Sequence, residues 1–381
     1  MKLNAFYRVV ILLLAVVPPL LGVEAATPAT RQVRERDSIK ALMRLAADWQ
    51  IANPDTRAEH DDLDWTNAAL YVGMLDWAEL AESEDGDDSY YKWLLRIGRR
   101  NQYQVNKRMY HADDIAVAQT FIELYGKVGN SRMIAPVMAR ANWVVDNISD
   151  TATLMLDYGK AETLDRWSWC DALFMAPPVY AKLYALTGDR RYLDFMNREY
   201  RATYDYLFDS EEQLFYRDHR YFDKREANGR KVFWGRGNGW VLAGLAEILQ
   251  SLPAGEESRG FYSDLFVTLA TRMASLQSGD GYWHASLLDP SSYPAPESSS
   301  TGFILYAIAW GVNEGLLDRE AFMPVIEKGW EALVGALEPD GKLGYVQPIG
   351  ADPRSVTRDM TEVYGTGAFL MAGCQMCRLN Q

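Results

Sequence analysis

The feature that most constrains this chain is a helical periodicity interrupted by two alternating kinds of connection. Apolar residues recur at three-and-four spacing almost throughout, with few runs of strict alternation. This predicts about twelve helices, near 36–52, 64–82, 87–100, 113–126, 131–148, 169–187, 190–206, 238–251, 259–277, 300–315, 319–336 and 362–378. Short polar turns such as Glu84-Asp85-Gly86-Asp87-Asp88, Gly129-Asn130-Ser131, Gly188-Asp189-Arg190 and Gly315-Leu316-Leu317-Asp318 each end one helix and cap the next. Longer connections, near 53–63, 101–112, 149–168, 207–237, 279–299 and 337–361, carry the aromatics, charges and glycines.

Twelve helices make six pairs, and the weak repeat marks stacked supersecondary units. Short turns at one end and long loops at the other predict an all-α (α/α)6 toroid, a closed ring of helical hairpins with an inner and an outer layer. A linear solenoid is the alternative, but six unequal repeats with elaborated loops fit closure better. The long loops then gather on one face, and loops of that length in a compact domain are usually functional.

The amino terminus follows a different pattern. Lys2 and Arg8 precede an apolar run from Val9 to Val23 that ends in Val23-Glu24-Ala25. Residues 1–25 therefore read as a secretory signal peptide and 26–381 as a single catalytic domain, periplasmic or secreted. The run is shorter than the roughly 20 residues of a spanning helix and is broken by Pro18-Pro19, so no membrane partner is expected after cleavage. Three cysteines in an exported chain make no disulfide framework, and four histidines without clustered ligands imply neither metal nor cofactor. Cys170, Cys374 and Cys377 read as buried thiols. A net charge of −13 argues against nucleic acid. A local basic exception runs from Arg217, His219 and Arg220 through Lys224, Arg225, Arg230 and Lys231 to Arg236.

Four segments at expected helix starts set polar groups beside aromatic rings. These are His111-Ala112-Asp113-Asp114, Ser168-Trp169-Cys170-Asp171, Phe233-Trp234-Gly235-Arg236-Gly237-Asn238-Gly239-Trp240, and Gly281-Tyr282-Trp283-His284 with the following Glu297-Ser298-Ser299-Ser300. The combination suits sugar, whose apolar ring face an aromatic can cover while charged groups take hydroxyls and carboxylates. Each member also has a plainer reading. Ser168-x-x-Asp171 fits a capping box with Asp in place of Glu, Asp113 and Asp114 suit a first helical turn, and His111 and His284 read as hydrogen-bonded loop residues. Asp171 is thus either a helix-start residue or a proton donor.

The set resembles glycoside hydrolase family 105, the unsaturated rhamnogalacturonyl hydrolases, with the unsaturated glucuronyl hydrolases of family 88 as relatives. The resemblance rests on Trp169-Cys170-Asp171-Ala172-Leu173-Phe174-Met175-Ala176-Pro177-Pro178, Trp234-Gly235-Arg236-Gly237-Asn238-Gly239-Trp240, the Asp113-Asp114 helix start and Val363-Tyr364-Gly365-Thr366-Gly367-Ala368-Phe369. It implies a six-hairpin glycosidase fold and removal of a 4,5-unsaturated uronic acid from lyase-generated oligosaccharides by hydration of the double bond. It further implies Asp171 and Asp113 as catalytic residues. Asp114, Trp169, Trp234, Arg236, Trp240 and His284 are expected at the substrate, with Arg236 facing the uronate carboxylate. Where some members carry a site histidine, this chain reads Leu214-Phe215-Tyr216-Arg217-Asp218-His219, so either Arg217 or His219 fills that place. Apolar neighbours would raise the Asp171 pKa and a helix N-terminus would lower it; the sequence does not decide between them. The other readings of the same residues are an inverting glycosidase on saturated oligosaccharides and a non-catalytic glycan-binding toroid. A monomer or weak homo-oligomer is expected.

Overall fold

The computed structural model describes residues 33–380 apart from 55 and 57–59; the expected signal peptide lies outside the described residues. Among these, twelve helices exceed ten residues. The first six are α1 (Arg36–Ala52), α2 (Trp65–Asp85), α3 (Ser89–Arg100), α4 (Ala118–Val128), α5 (Ala135–Asp146) and α6 (Pro177–Thr187). The rest are α7 (Arg190–Leu207), α8 (Gly235–Ser251), α9 (Arg259–Ser275), α10 (Ser298–Asn313), α11 (Arg319–Ala336) and α12 (Val363–Leu379).

The even-numbered helices form the inner ring: each packs on its even-numbered neighbours, and α12 returns against α2. The odd-numbered helices lie outside, α3 on α2, α5 on α4, α7 on α6, α9 on α8, α11 on α10, and α1 on α12. The first and last helices thus make the sixth hairpin, and the expected closed toroid forms. The sequence sorts the layers. Helix α8 is buried from Gly235 through Leu249 and α10 from Ser298 through Val312, as an inner helix wrapped on all sides must be. Helix α1 buries only the stripe Ile39, Met43, Ala46, Ala47 and Gln50. At the closing seam α2 and α12 touch backbone to backbone: a Cβ on Gly73 would lie 2.1 Å from the Gly367 carbonyl oxygen, so only glycine fits.

The short turns behave as the sequence predicts. Gly188 takes φ 72°, a left-handed conformation that costs glycine little, and Asp189 then accepts a hydrogen bond from the Arg191 amide at 3.0 Å to start α7. Two expected helices are interrupted near their starts. The one expected at 169–187 forms a turn at Ala172–Met175 and restarts as α6 at Pro177, since Pro177 and Pro178 have no N–H to continue the ladder. The one expected at 113–126 forms a turn at Ala112–Ile115 before α4, with Ala116 and Val117 still near helical dihedrals. The long 207–237 connection contains a small ribbon, β1 (Phe208–Asp209) against β2 (Leu214–Phe215), paired Phe208 to Phe215 and Asp209 to Leu214.

At the centre of the ring an aromatic plug forms. Trp240 lies 4.0 Å from Phe303 and 4.8 Å from Phe174 between ring centroids, with Trp65 edge-on at 6.0 Å.

Candidate active site

On the face where the inner helices begin, a cavity of about 450 Å³ opens. Trp65, Asp113, Trp169, Asp171 and Met175 come to it from the starts of inner helices. Long loops bring Tyr158, Arg217, Arg220, Tyr221, Trp234, Ile349 and Arg354. A larger cavity of about 790 Å³ lies at the opposite end of the ring. No tryptophan lines it, and its Lys182 is held by Glu123 at 2.7 Å and Glu247 at 3.4 Å. The smaller one alone pairs carboxyls with tryptophan rings, the chemistry a sugar requires.

Asp171 is not a cap. Its side chain makes no capping hydrogen bond, and Ser168 Oγ donates instead to the Thr163 carbonyl at 2.9 Å. The capping-box reading of Ser168 and Asp171 is therefore corrected: α6 starts six residues later, at Pro177, and the carboxylate is left for the cavity. There it accepts a hydrogen bond from Arg217 Nε at 2.9 Å, both side chains being 11% exposed. Burial raises the Asp171 pKa, against the lowering pull of Arg217 and Arg236. The balance that the sequence leaves open falls to desolvation.

Asp113 lies on the same wall with its pKa raised to about 7, first by burial and second by the Asp171 charge; Arg108 and Arg217 oppose this. Burial and the neighbouring Asp171 charge together disfavour ionisation of Asp113, so its carboxyl still holds a proton near neutrality. His111 supports both sides of this arrangement. Its Nδ1 accepts from the Asp113 amide at 3.2 Å, and its ring packs on Trp169 at 4.9 Å. Burial, then the Arg108 charge, lowers its pKa to about 4, so it stays neutral and remains an acceptor.

Arg217 reaches the cavity because the segment carrying it is clamped from α8. Asn238 Oδ1 accepts from the Phe215 amide at 2.8 Å and Asn238 Nδ2 donates to the Phe215 carbonyl at 3.0 Å. The Arg217 carbonyl accepts in turn from the Cys170 amide at 2.8 Å, which ties this segment to the one carrying Asp171. Trp234, also on the cavity, donates Nε1 to Gln347 Oε1 at 3.1 Å. At the start of α8 a Cβ on Gly235 would meet the His284 carbonyl at 2.4 Å, so glycine there lets the two segments pack and fixes the Trp234 ring.

The remaining expected residues stand behind these. Arg236 is fully buried, donating from Nη1 to the Gln347 carbonyl at 2.6 Å and from Nη2 to the Pro348 carbonyl at 2.9 Å, with its guanidinium 4.4 Å from the Trp234 ring centroid. Its two shorter hydrogen bonds thus go to backbone and a longer one, 3.4 Å, to Ser299 Oγ, and what it sends toward Asp171 is charge. Asp114 is turned away and accepts from the Arg108 amide at 2.7 Å and from Arg108 Nε at 3.0 Å. Of the two residues expected to fill the histidine's place, Arg217 lines the cavity, whereas His219 Nδ1 accepts from the Leu156 amide at 3.2 Å and braces a loop. His284 contacts the Ala295 carbonyl at 2.8 Å and Asp280 at 3.2 Å, and Trp240 belongs to the plug. Neither lines the cavity.

Sequence reasoning did not single out Trp65, Tyr158, Tyr221, Ile349 or Arg354, which also face it. Arg220 stood only within the basic segment. The long loops were the available signal, but they do not say which of their side chains turn inward. Among the described residues, no group of three or more His, Cys, Asp or Glu is set to hold a metal ion. All three thiols are buried and free, as expected.

Residues 39–380 match the model of Glycosyl Hydrolase Family 88. The chain is 37% identical over 362 residues to an unsaturated 3S-rhamnoglycuronyl hydrolase of Alteromonas sp. (strain LOR), covering 90% of this chain and 86% of that one. It is 39% identical over 353 residues to one of Formosa agariphila, covering 90% and 91%. A solved family 88 structure from Bacteroides vulgatus superposes with a TM-score of 0.78 at 30% identity, covering 90% of this chain and 99% of that one. A possible family 105 member from Salmonella enterica shares the fold, with a TM-score of 0.73 at 20% identity, covering 91% and 95%.

Proposed function

Because the chain belongs to glycosyl hydrolase family 88 and is a glycoside hydrolase, we propose that it removes a 4,5-unsaturated uronic acid from the non-reducing end of lyase-generated oligosaccharides. The observation that carries this is the pair of carboxyls, Asp113 and Asp171, with Arg217 on Asp171, in a tryptophan-walled cavity of monosaccharide-to-disaccharide size.

The proton on the carboxyl pair goes to C4 of the sugar, and a water deprotonated by the partner carboxylate adds to C5. The hemiketal formed at C5 collapses to a ketone, the ring opens, and C1, now a hemiacetal carbon, releases the leaving sugar. The pair ends with one proton, as it began. Asp171 is assigned as acid/base and Asp113 as its partner. Arg217 exchanges partners in this scheme. An incoming uronate carboxylate competes for its guanidinium, which loosens the bond to Asp171 and lets that carboxyl hold a proton more readily. Trp169 and Trp234 offer faces to the flat unsaturated ring.

On the leaving side we assign a rhamnose bearing a 3-sulfate, since the Alteromonas and Formosa relatives are named for that unit; a rhamnogalacturonan-type leaving sugar is the alternative. Export to the periplasm or medium is supported by Lys2, Arg8 and the apolar run to Val23. Amino-terminal sequencing of the protein recovered outside the cytoplasm tests it, and an intact Met1 there overturns it.

The activity test is direct. Unsaturated disaccharides are incubated with the protein and the ultraviolet absorbance of the conjugated enol ether is followed, beside saturated disaccharides as controls. Loss of absorbance supports the reading, whereas cleavage of the saturated controls alone replaces it with an inverting glycosidase.

A further inference from the structure

Glu297 caps α10 and also makes a bond that a cap does not need. It is wholly buried, and its carboxylate accepts from the Ser300 amide at 2.7 Å, the Ser299 amide at 3.2 Å and Ser299 Oγ at 2.7 Å. Those bonds serve the helix start. A fourth leaves the helix: the Gln347 amide donates to Glu297 Oε1 at 3.0 Å, from 50 positions away. Ser298 holds the same incoming segment, its amide on the Tyr345 carbonyl at 2.8 Å and its Oγ on the Gly344 carbonyl at 2.7 Å. Tyr345 there takes φ 56°, a left-handed conformation that costs a non-glycine residue and persists where neighbours enforce it.

Gln347 carries this anchoring to the cavity. Its Oε1 accepts from Trp234 Nε1 at 3.1 Å, and its carbonyl accepts from Arg236 Nη1 and from Tyr364 Oη, each at 2.6 Å. The Arg236 guanidinium lies 4.4 Å from the Trp234 ring centroid. Both supports of the Trp234 ring, the hydrogen bond at its edge and the guanidinium over its face, therefore end on Gln347, and the Gln347 amide ends on Glu297. Glu297 itself does not line the cavity.

Resting on the activity proposed above, we infer that Glu297 is a positioning residue for the uronate site: through Gln347 it sets the Trp234 ring and the arginine behind it. Capping alone does not call for this residue type, because glutamate is not among the preferred N-caps. Its extra methylene group lets one oxygen serve the Ser299 amide and the Gln347 amide together. A ring face that contacts the sugar before and during reaction contributes to binding, so its displacement is read in KM rather than kcat.

Glu297→Asp separates the two roles, since it keeps the charge and a preferred cap but withdraws the carboxylate by one methylene group. The indole N–H resonance of Trp234, assigned in tryptophan-labelled protein by its loss in Trp234→Phe, should shift in this variant. KM for an unsaturated disaccharide should rise by about fivefold or more, with kcat within about twofold of wild type. Gln347→Met keeps the backbone bonds and removes the acceptor of Trp234 Nε1, so it should shift the same resonance and raise KM by less. Asp318→Ala is the control: it strips the cap of the outer helix α11, where Asp318 accepts from the Ala321 amide at 2.8 Å, and should move neither KM nor the resonance. A Trp234 resonance at its wild-type position in Glu297→Asp overturns the positioning role, as does a fall in kcat with KM unchanged or an equal shift in Asp318→Ala. Should Glu297→Asp not fold, an unmoved resonance in Gln347→Met overturns it and a shifted one supports it. If wild-type protein turns over no unsaturated disaccharide, the hydrolase reading fails and the resonance alone decides the positioning role.

Discussion

Arg217 Nε donates to Asp171 Oδ2 across 2.9 Å, so the carboxyl proposed as acid/base is held in an ion pair inside a buried cavity. The pair joins residues 46 positions apart. Removing Arg217 takes from Asp171 its buried ion-pair partner, whereas removing Asp171 leaves Arg217 still held by Asp218 at 2.8 Å.

Asp171→Asn should abolish decay of the enol-ether absorbance, by at least about a hundredfold in kcat. The amide keeps the shape and can still meet the surrounding groups, so the helical circular dichroism should be that of wild type. Retained turnover would show that Asp171 does not handle the proton.

Arg217→Ala should lower kcat/KM on unsaturated disaccharides by about 10- to 100-fold, and Arg217→Lys by less. Arg217 lowers the pKa of both Asp171 and Asp113. In the alanine variant the limbs of the pH–rate profile should therefore move to higher pH. A loss of rate with the limbs unmoved would make Arg217 a substrate contact only.

Asp113→Asn should stabilise the protein in alkali. The carboxyl titrates near 7 in the fold against its ordinary 3.8, so the native state binds more protons than the unfolded chain between those values. Stability from this group is thus highest in acid and declines as pH rises through about 7, by roughly 4 kcal/mol at the upper bound. His111, lowered to about 4, works in the opposite sense between its folded and unfolded values and offsets part of this below pH 6.5. The variant's melting temperature should exceed wild type at pH 8 and converge on it near pH 4, with catalysis lost throughout. Equal melting curves at pH 8 would contradict the raised pKa.

Gly73→Ala tests ring closure. The new methyl would sit 2.1 Å from the Gly367 carbonyl oxygen, which belongs to rigid backbone, so α2 and α12 must part. A loss of about 3 kcal/mol or more by denaturant titration is expected. Gly126→Ala, with open space at its Cβ, is the control and should change stability little.

Much of the fold was legible because helix periodicity and turn chemistry are local. The 319–336 helix was placed to the residue, and Gly188-Asp189 did end one helix and start the next. The breaks at Ala176 and near Ala116 escaped notice because apolar spacing runs through both. At the site, residue types were legible and their directions were not. Asp113 and Asp114 are neighbours with the same chemistry, yet one faces the cavity and the other is bound by Arg108. Trp234 and Arg236 share a motif, yet the arginine is held under the ring by carbonyls from the 347–348 loop.

The sequence alone determined the six-hairpin ring and four candidate loop-to-helix segments, of which those carrying Asp113, Asp171 and Trp234 meet at one mouth, because hydrophobic period, glycine stops and acidic caps act within a few residues. Only the tertiary structure decided that Asp171 is a cavity carboxyl paired with an arginine rather than a cap, and that Arg217 rather than His219 stands beside it. It also turned Arg220 and Arg354 toward the same opening. The deciding contacts, Cys170 to Arg217, Asn238 to Phe215 and Trp234 to Gln347, join positions far apart in the chain, and no local pattern encodes which way a side chain turns when its partner arrives from another hairpin.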